Sequence, residues 1–535
     1  MQLNYNGLKD VAAWEAAGVK LPKQDWKAMC EETLKAPVWV HFGAGNIFRG
    51  FIAGLQQRLL DAGEAKAGII AVETFDNEVI EKIYVPHDSM TLAVSLLPDG
   101  GTDLAINASI ACGICANDPS QWGTLCEIFR NPSLQMVSYT ITEKGYALRD
   151  MQGQITPLAA GDMENGPKAP RHAMSVTAAL LLERFEAGAA PIAIVSMDNC
   201  SHNGEKLRAG VMEMALAWRA NGLVSADFID WLEDETKVSF PWSMIDKITP
   251  RPAEAITRQL EAKGIEDMAA IVTSKNTYIA PFVNAEQPQY LVVEDRFPNG
   301  RPALEKAGVY MTDRDTVNNT EKMKVTTCLN PLHTALAVTG CLLGYEKICD
   351  EMKDEDLVKL VRKIGYVEGL PVVVDPKILS PKAFIDEVVN ERFPNPFMPD
   401  TPQRIATDTS QKIPVRFGET IKSYMASETL NSADLDAIPL AIAAWLRYLL
   451  AVDDKGEAMP VSSDPMLGML QGALEGVTLG DPSSADGKLD AIVSNPNLFG
   501  VSLVDAGLDG KVKAYFAEML SGPGAVRATL KKHLG

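Results

Sequence analysis

The chain has 535 residues, 46% of them hydrophobic, which is too long for one compact core and supplies apolar material for two or three domains. Its formal charge of −20 repels phosphate backbones and anionic lipid, so neither nucleic acid nor membrane is an expected partner. No apolar run reaches the ~18 residues of a membrane span, because Arg447 interrupts residues 438–452, and MQLNYNGLKD has no basic region followed by an apolar stretch. A soluble cytoplasmic protein is expected. Eight scattered cysteines predict a reducing compartment. Cys112 and Cys115 make one CxxC without the second pair of a structural zinc site, so no metal is expected.

Residues 1–37 read as a mixed, amphipathic helical lead. VWVHF, β-branched and aromatic, runs into GAGNIFRG and then the helical pattern FIAGLQQRLLDAG. Strand, glycine turn and helix are the parts of a dinucleotide site, where the first glycine permits a tight turn and the second lets the backbone approach a pyrophosphate. Gly43 and Gly45 take those places, but Phe48 stands where the third glycine is usual. The next strand, residues 68–74, carries Glu73 near its end, where a carboxylate meets adenosine ribose hydroxyls and disfavours a 2′-phosphate. NAD is therefore expected over NADP.

TLAVSLL, INASIACGI, a helix through WGTLCEIFRN, and MVSYTITEKGY continue the alternation and predict a mostly parallel sheet. After GDMENGPKAPRH comes the helix AMSVTAALLLERFEAG and then the strand PIAIVSMDN, whose Asp198 and Asn199 are expected to face a ligand. MIDKITP carries Asp246, and YLVVEDRFPNGRP reads as the last extended segment. From residue 311 helical patterns recur at 333–345, 351–365, 381–391, 417–428, 434–452, 465–475 and 509–531. The expected architecture is an α/β Rossmann-like N-terminal domain, residues 1–310, followed by an all-α domain, residues 311–535.

EKMKVTTCLNPLH, residues 321–333, lies at that junction and places a lysine, an asparagine and a histidine within a short span. Domain junctions favour ligand sites. A buried lysine can be driven to act as a base, and an asparagine amide can steady a developing alkoxide.

HFGAGNIFRGF, TITEKGY, DNCSHNG, MIDKITP, EDRFPNGRP, KMKVTTCLNPLH and RIATDTSQKIPVRF, in that order, resemble the mannitol dehydrogenase family of polyol-specific long-chain dehydrogenases. The resemblance spans roughly residues 38–417. Among the family's branches the chain looks most like the one that interconverts D-mannonate and D-fructuronate with NAD(H). Tagaturonate reduction, polyol 2-dehydrogenation and nucleotide binding without catalysis are the alternatives. The resemblance implies a zinc-independent hydride transfer on a small sugar acid or polyol, with Lys324 as general acid/base and Asn199 and Asn330 on the reacting oxygen. It further implies that His333 orients the substrate, that Asp246, Arg404 and Lys412 surround it, and that Gly43, Gly45 and Asn46 form the cofactor loop. A monomer or small homo-oligomer is expected.

Lys324 stands six residues before Asn330, where the family pattern has five, and on a regular helix one residue turns a side chain by ~100°. Pro331 cannot donate to Thr327, so a one-residue π-bulge is expected to restore the alignment, with Lys322 as the second candidate base. Arg404 and Lys412, eight residues apart, would be ~12 Å apart on one helix, so a loop through residues 407–410 is expected to bring them together.

Overall fold

Fifteen β-strands precede residue 313 and none follows it in the computed structural model, which describes residues 1–535. They are β1 (Val19–Lys20), β2 (Trp39–Phe42), β3 (Ile69–Glu73), β4 (Thr91–Leu96), β5 (Thr102–Asn107), β6 (Ile110–Cys115), β7 (Met136–Tyr139), β8 (Ile192–Ser196), β9 (Val238–Ser239), β10 (Ser243–Asp246), β11 (Ile271–Val272), β12 (Tyr278–Ile279), β13 (Phe282–Glu286), β14 (Tyr290–Glu294) and β15 (Tyr310–Thr312). Six of them form an all-parallel sheet in the order β6-β3-β2-β7-β8-β9, so strand order reverses between β2 and β7. Ligands of such sheets gather beyond the carboxyl ends of the strands at that reversal. Both faces are buried, as continuous apolar strands require. Val40, Phe42, Ile70, Val72, Val137 and Ile194 enter one core. Their alternating neighbours Trp39, Ile69, Ala71, Met136 and Val195 enter the other.

TLAVSLL does not join this sheet. It forms β4, which pairs antiparallel with β5 in a separate mixed sheet of order β1-β5-β4-β13, Leu97 N–H donating to the Gly101 carbonyl at 3.0 Å. Antiparallel neighbours can be joined by a tight turn, whereas a parallel crossover needs a dozen residues or more, and the connection here is far shorter. A three-stranded sheet, β10-β14-β15, and the hairpin β11-β12 complete the N-terminal unit, which comprises Met1–Leu97 and Gly101–Asn318.

The C-terminal unit, Asn319–Gly535 with Pro98–Gly100, is helical. Its division from the first unit falls inside the helix Arg314–Met323, and β15 carries the first unit past residue 310. Every residue of the helix Ala437–Tyr448 is buried. The Glu368 carboxylate caps it, accepting from the backbone N–H groups of Asp436, Ala437 and Ile438 at 2.7, 2.7 and 2.8 Å. Arg447, the charge that interrupts this apolar run, is satisfied by the carbonyls of Met519, Val452 and Asp453. The expected helix 509–531 is two helices, Asp509–Met519 and Ala525–Leu534, because Gly522 and Gly524 take positive φ around Pro523. No helix is long and apolar enough to cross a membrane.

Candidate active site

In the N-terminal unit β2 delivers the chain to Gly43, whose φ of +101° and close approach to the Thr140 carbonyl admit no side chain. Gly45 differs. Its backbone is ordinary, and a Cβ there would meet no protein atom within 4 Å, so only space at the start of the following helix is gained by its being glycine. That open cradle, at a helix N-terminus beyond the strand-order reversal, fits a dinucleotide pyrophosphate. Asn46 accepts a hydrogen bond from Arg49 at 2.9 Å, and Arg49 is itself buried and donates to the Ala280 carbonyl at 2.8 Å. The helix begins with a π-helical segment, Phe48–Ile52, and the close packing expected of a third glycine comes from Gly50, where a Cβ would lie 2.6 Å from Val283 of β13. Phe48 stacks on His41, centroids 4.0 Å apart.

Glu73, at the end of β3, is buried. One carboxylate oxygen accepts from the N–H groups of Thr74, Phe75 and Asp76 at 2.9, 2.9 and 3.3 Å, and the other from Ala44 N–H at 3.1 Å. It thus ties the glycine loop to the turn after β3 and keeps one oxygen with acceptor capacity for a ribose hydroxyl.

Asp198 is turned inward, contrary to the expectation that it faces a ligand. Its carboxylate accepts from Ile141 N–H at 2.8 Å, Thr142 N–H at 3.1 Å and the Tyr146 hydroxyl at 2.6 Å, holding the loops after β7 and β8 together. Burial raises its pKa against these bonds. Buried Asn203 extends the brace by donating to the Asp198 carbonyl and to the Ser243 carbonyl and hydroxyl, each at 3.0 Å. Asn199 leaves this braced turn, and Asp246 sits buried at the end of β10, which begins at Ser243.

In the C-terminal unit the helix Arg314–Met323 passes into a π-helical segment, Lys324–Cys328, with Leu329 N–H donating to the Lys324 carbonyl at 3.1 Å. A π-helical segment thus lies between Lys324 and Asn330, where one was expected. Leu329 leaves helical geometry, and Asn330 opens the helix Asn330–Leu343. Lys324 is buried, whereas the Lys322 side chain is 53% exposed, with its ammonium 4.0 Å from Glu419.

His333 lies 3.5 Å from Asp400, with its ring against Phe393. Burial lowers its pKa to about 4; Asp400 opposes that shift, and Arg416, Arg404 and Arg392 reinforce it. Asp400 also pairs with Arg404, whose side chain is 62% exposed. Lys412 donates to the carbonyls of Ile405, at 3.0 Å, and Thr407. Burial, and then Arg416, lower its pKa to about 8. The turn that brings it back toward Arg404 is shorter than expected: Asp408 takes φ +53° and the helix Thr409–Ile413 has already begun by Ser410, whose N–H and hydroxyl bond Asp464. Arg416 donates to the Thr334 hydroxyl at 2.6 Å.

The family model described as the mannitol dehydrogenase Rossmann domain matches residues 38–306, and that of the mannitol dehydrogenase C-terminal domain matches residues 316–516. The chain belongs to the mannitol dehydrogenase family. It is 53% identical over 539 residues to a D-mannonate oxidoreductase of Thermotoga maritima, covering 100% of this chain and 99% of that protein. It is 30% identical over 440 residues to the D-mannonate oxidoreductase of Escherichia coli, covering 81% and 84%. Among solved structures it is similar to Pseudomonas fluorescens mannitol 2-dehydrogenase in a ternary complex with NAD and D-mannitol, with TM-score 0.69, 26% identity and 99% of each chain covered. A substrate-free D-sorbitol dehydrogenase superposes with TM-score 0.78 at 26% identity, over 96% and 98%.

As a mannitol dehydrogenase family member the protein is an oxidoreductase with a Rossmann-type domain and a helical C-terminal domain. In its first unit stand Gly43, Gly45, Asn46, Glu73, Asn199 and Asp246; in its second stand Lys324, Asn330, His333, Arg404 and Lys412. Asp400 and Arg416 were missed from sequence. Each had a faint signal, since Asp400 lies four residues before Arg404 and Arg416 four after Lys412, the spacing that puts side chains on one helical face.

Proposed function

We propose that this mannitol dehydrogenase family member interconverts D-mannonate and D-fructuronate, with NAD(H) as the cofactor. The observation that carries the reading is the 53% identity to a D-mannonate oxidoreductase along the whole of both chains. The open space at Gly45 and the buried Glu73 carboxylate support NAD, since a carboxylate accepts from ribose hydroxyls and repels a 2′-phosphate. The cations around His333 support an acidic substrate.

When bound, NAD(H) supplies the hydride acceptor or donor. Mannonate loses a hydride from its carbinol carbon and the proton of the hydroxyl on that carbon, and Lys324 in its neutral form takes that proton. In the reverse direction the Lys324 ammonium returns it. The amide of Asn330 donates to the oxygen as its charge grows, and such a donor acts best when fixed in advance. The start of a helix at Asn330 supports that fixing. His333, neutral near pH 7, orients a substrate hydroxyl, and Arg404 and Lys412 surround the rest. Lys322 is set aside as the base because its side chain lies exposed near Glu419, whereas Lys324 is buried. A cytoplasmic location and a monomeric or small homo-oligomeric state complete the proposal; eight free cysteines fit a reducing compartment.

The test is NADH oxidation with D-fructuronate, D-tagaturonate, D-fructose and D-xylulose. Fructuronate is expected to give the highest kcat/KM. A preference for tagaturonate or for a neutral ketose would replace the proposed substrate, and no turnover of any would remove the enzyme reading.

A further inference from the structure

The cations gathered near His333 are not compensated alike. Arg404 is paired with Asp400 and largely exposed. The Lys412 ammonium is held by two backbone carbonyls, with Asp408 and Asp464 acting on it as well. Arg416 stands apart, because its guanidinium forms one hydrogen bond, from Nη1 to the Thr334 hydroxyl, and no ion pair with any carboxylate. It is also partly buried, and burial alone lowers its pKa to about 10, so it remains a cation at neutral pH. A desolvated charge without a counterion is costly to a fold, and such a charge is retained where a ligand supplies the counterion.

We propose that Arg416 is the residue that binds the substrate's carboxylate and thereby selects a sugar acid over a neutral polyol. Thr334 is the residue after His333, on the first turn of the helix that Asn330 opens, so Arg416 is anchored beside the proposed catalytic side chains. With Nη1 held by Thr334, Nε and Nη2 remain as the pair of parallel donors that meets a carboxylate side-on. A neutral ligand in the same place leaves the guanidinium without a partner, so selectivity comes from the mismatch as well as from the match. The inference rests on the reading of the substrate as a sugar acid.

The experiment uses the full chain loaded with NADH, which cannot accept a hydride from an alcohol, and measures by calorimetry the affinity for D-mannonate and for D-mannitol, alongside kcat/KM for D-fructuronate. Arg416→Met is expected to weaken mannonate and to lower kcat/KM by more than about tenfold, in the range for hydrogen bonds to charged groups, with mannitol affinity little changed. Arg416→Lys, which keeps the charge and loses the fork, should recover part of the loss. Arg404→Met should cost less than Arg416→Met, since Arg404 is already paired with Asp400. Equal losses for mannonate and mannitol, or a larger acid-selective loss in Arg404→Met, would overturn the assignment. If Arg416→Met does not fold, Arg416→Lys decides, because a loss that is not selective for the acid would equally overturn it. A wild-type enzyme that binds mannonate no better than mannitol would instead show that the substrate reading is wrong, and the role of Arg416 falls with it.

Discussion

His333 should make the stability of the protein depend on pH in a way that one substitution removes. Burial holds its pKa at about 4 in the fold, against an ordinary value of 6.5, so the unfolded chain binds a proton at His333 before the folded chain does. The stability this residue contributes is therefore complete above pH 6.5, declines as pH falls through 6.5, and is fully lost below about 4. The shift from 6.5 to about 4 corresponds to about 3 kcal/mol at the limit and about 2 kcal/mol at pH 5, taking 1.36 kcal/mol per pKa unit. The side chain is 15% exposed, so solvent screening removes little of this. Urea unfolding of the wild type and of His333→Asn at pH 7.5 and 5.0 tests it. Other titrating groups are common to both proteins, so the wild type should lose about 2 kcal/mol more than the variant over that interval. Equal losses would mean that His333 is protonated in the fold. An acid limb in kcat/KM near pH 6.5 that vanishes in His333→Asn would refute the reasoning equally, since the histidine is argued to be neutral there.

Lys324→Ala should lower kcat by about 10²- to 10⁴-fold with NADH affinity nearly unchanged, and Lys322→Ala should do neither; the opposite result in a steady-state comparison would move the base to Lys322. Glu73→Gln keeps the shape of the side chain and removes its charge, so NADPH should be accepted more readily relative to NADH. The same variant should melt at a lower temperature, because hydrogen bonds from backbone N–H groups to a carboxylate are worth about 1.5–3 kcal/mol. Lower stability with an unchanged cofactor preference would leave Glu73 as a cap on the glycine loop and nothing more.

What could be read from the sequence was whatever depends on neighbours a few residues away. Short, continuous apolar and β-branched runs separated by helical patterns mark a buried parallel sheet, and the loss of such runs beyond residue 311 marks the helical unit. Pro331 forbids one helical hydrogen bond, and set beside the five-residue spacing that the resemblance implies it pointed to the π-helical segment found at Lys324–Cys328. Gly43 and Gly45 signalled a turn, but which of them relieves strain and which opens space depends on Thr140, almost a hundred residues away. Tertiary structure decided how each charge is used. Asp198 braces two loops, Glu73 gathers four backbone N–H groups, Arg404 is matched by Asp400, and Arg416 is left with Thr334 alone. A charged side chain reads the same in sequence whether it is paired, solvated or stranded, because its energy is set by whichever groups packing brings within a few ångströms, and chain order does not encode that distance.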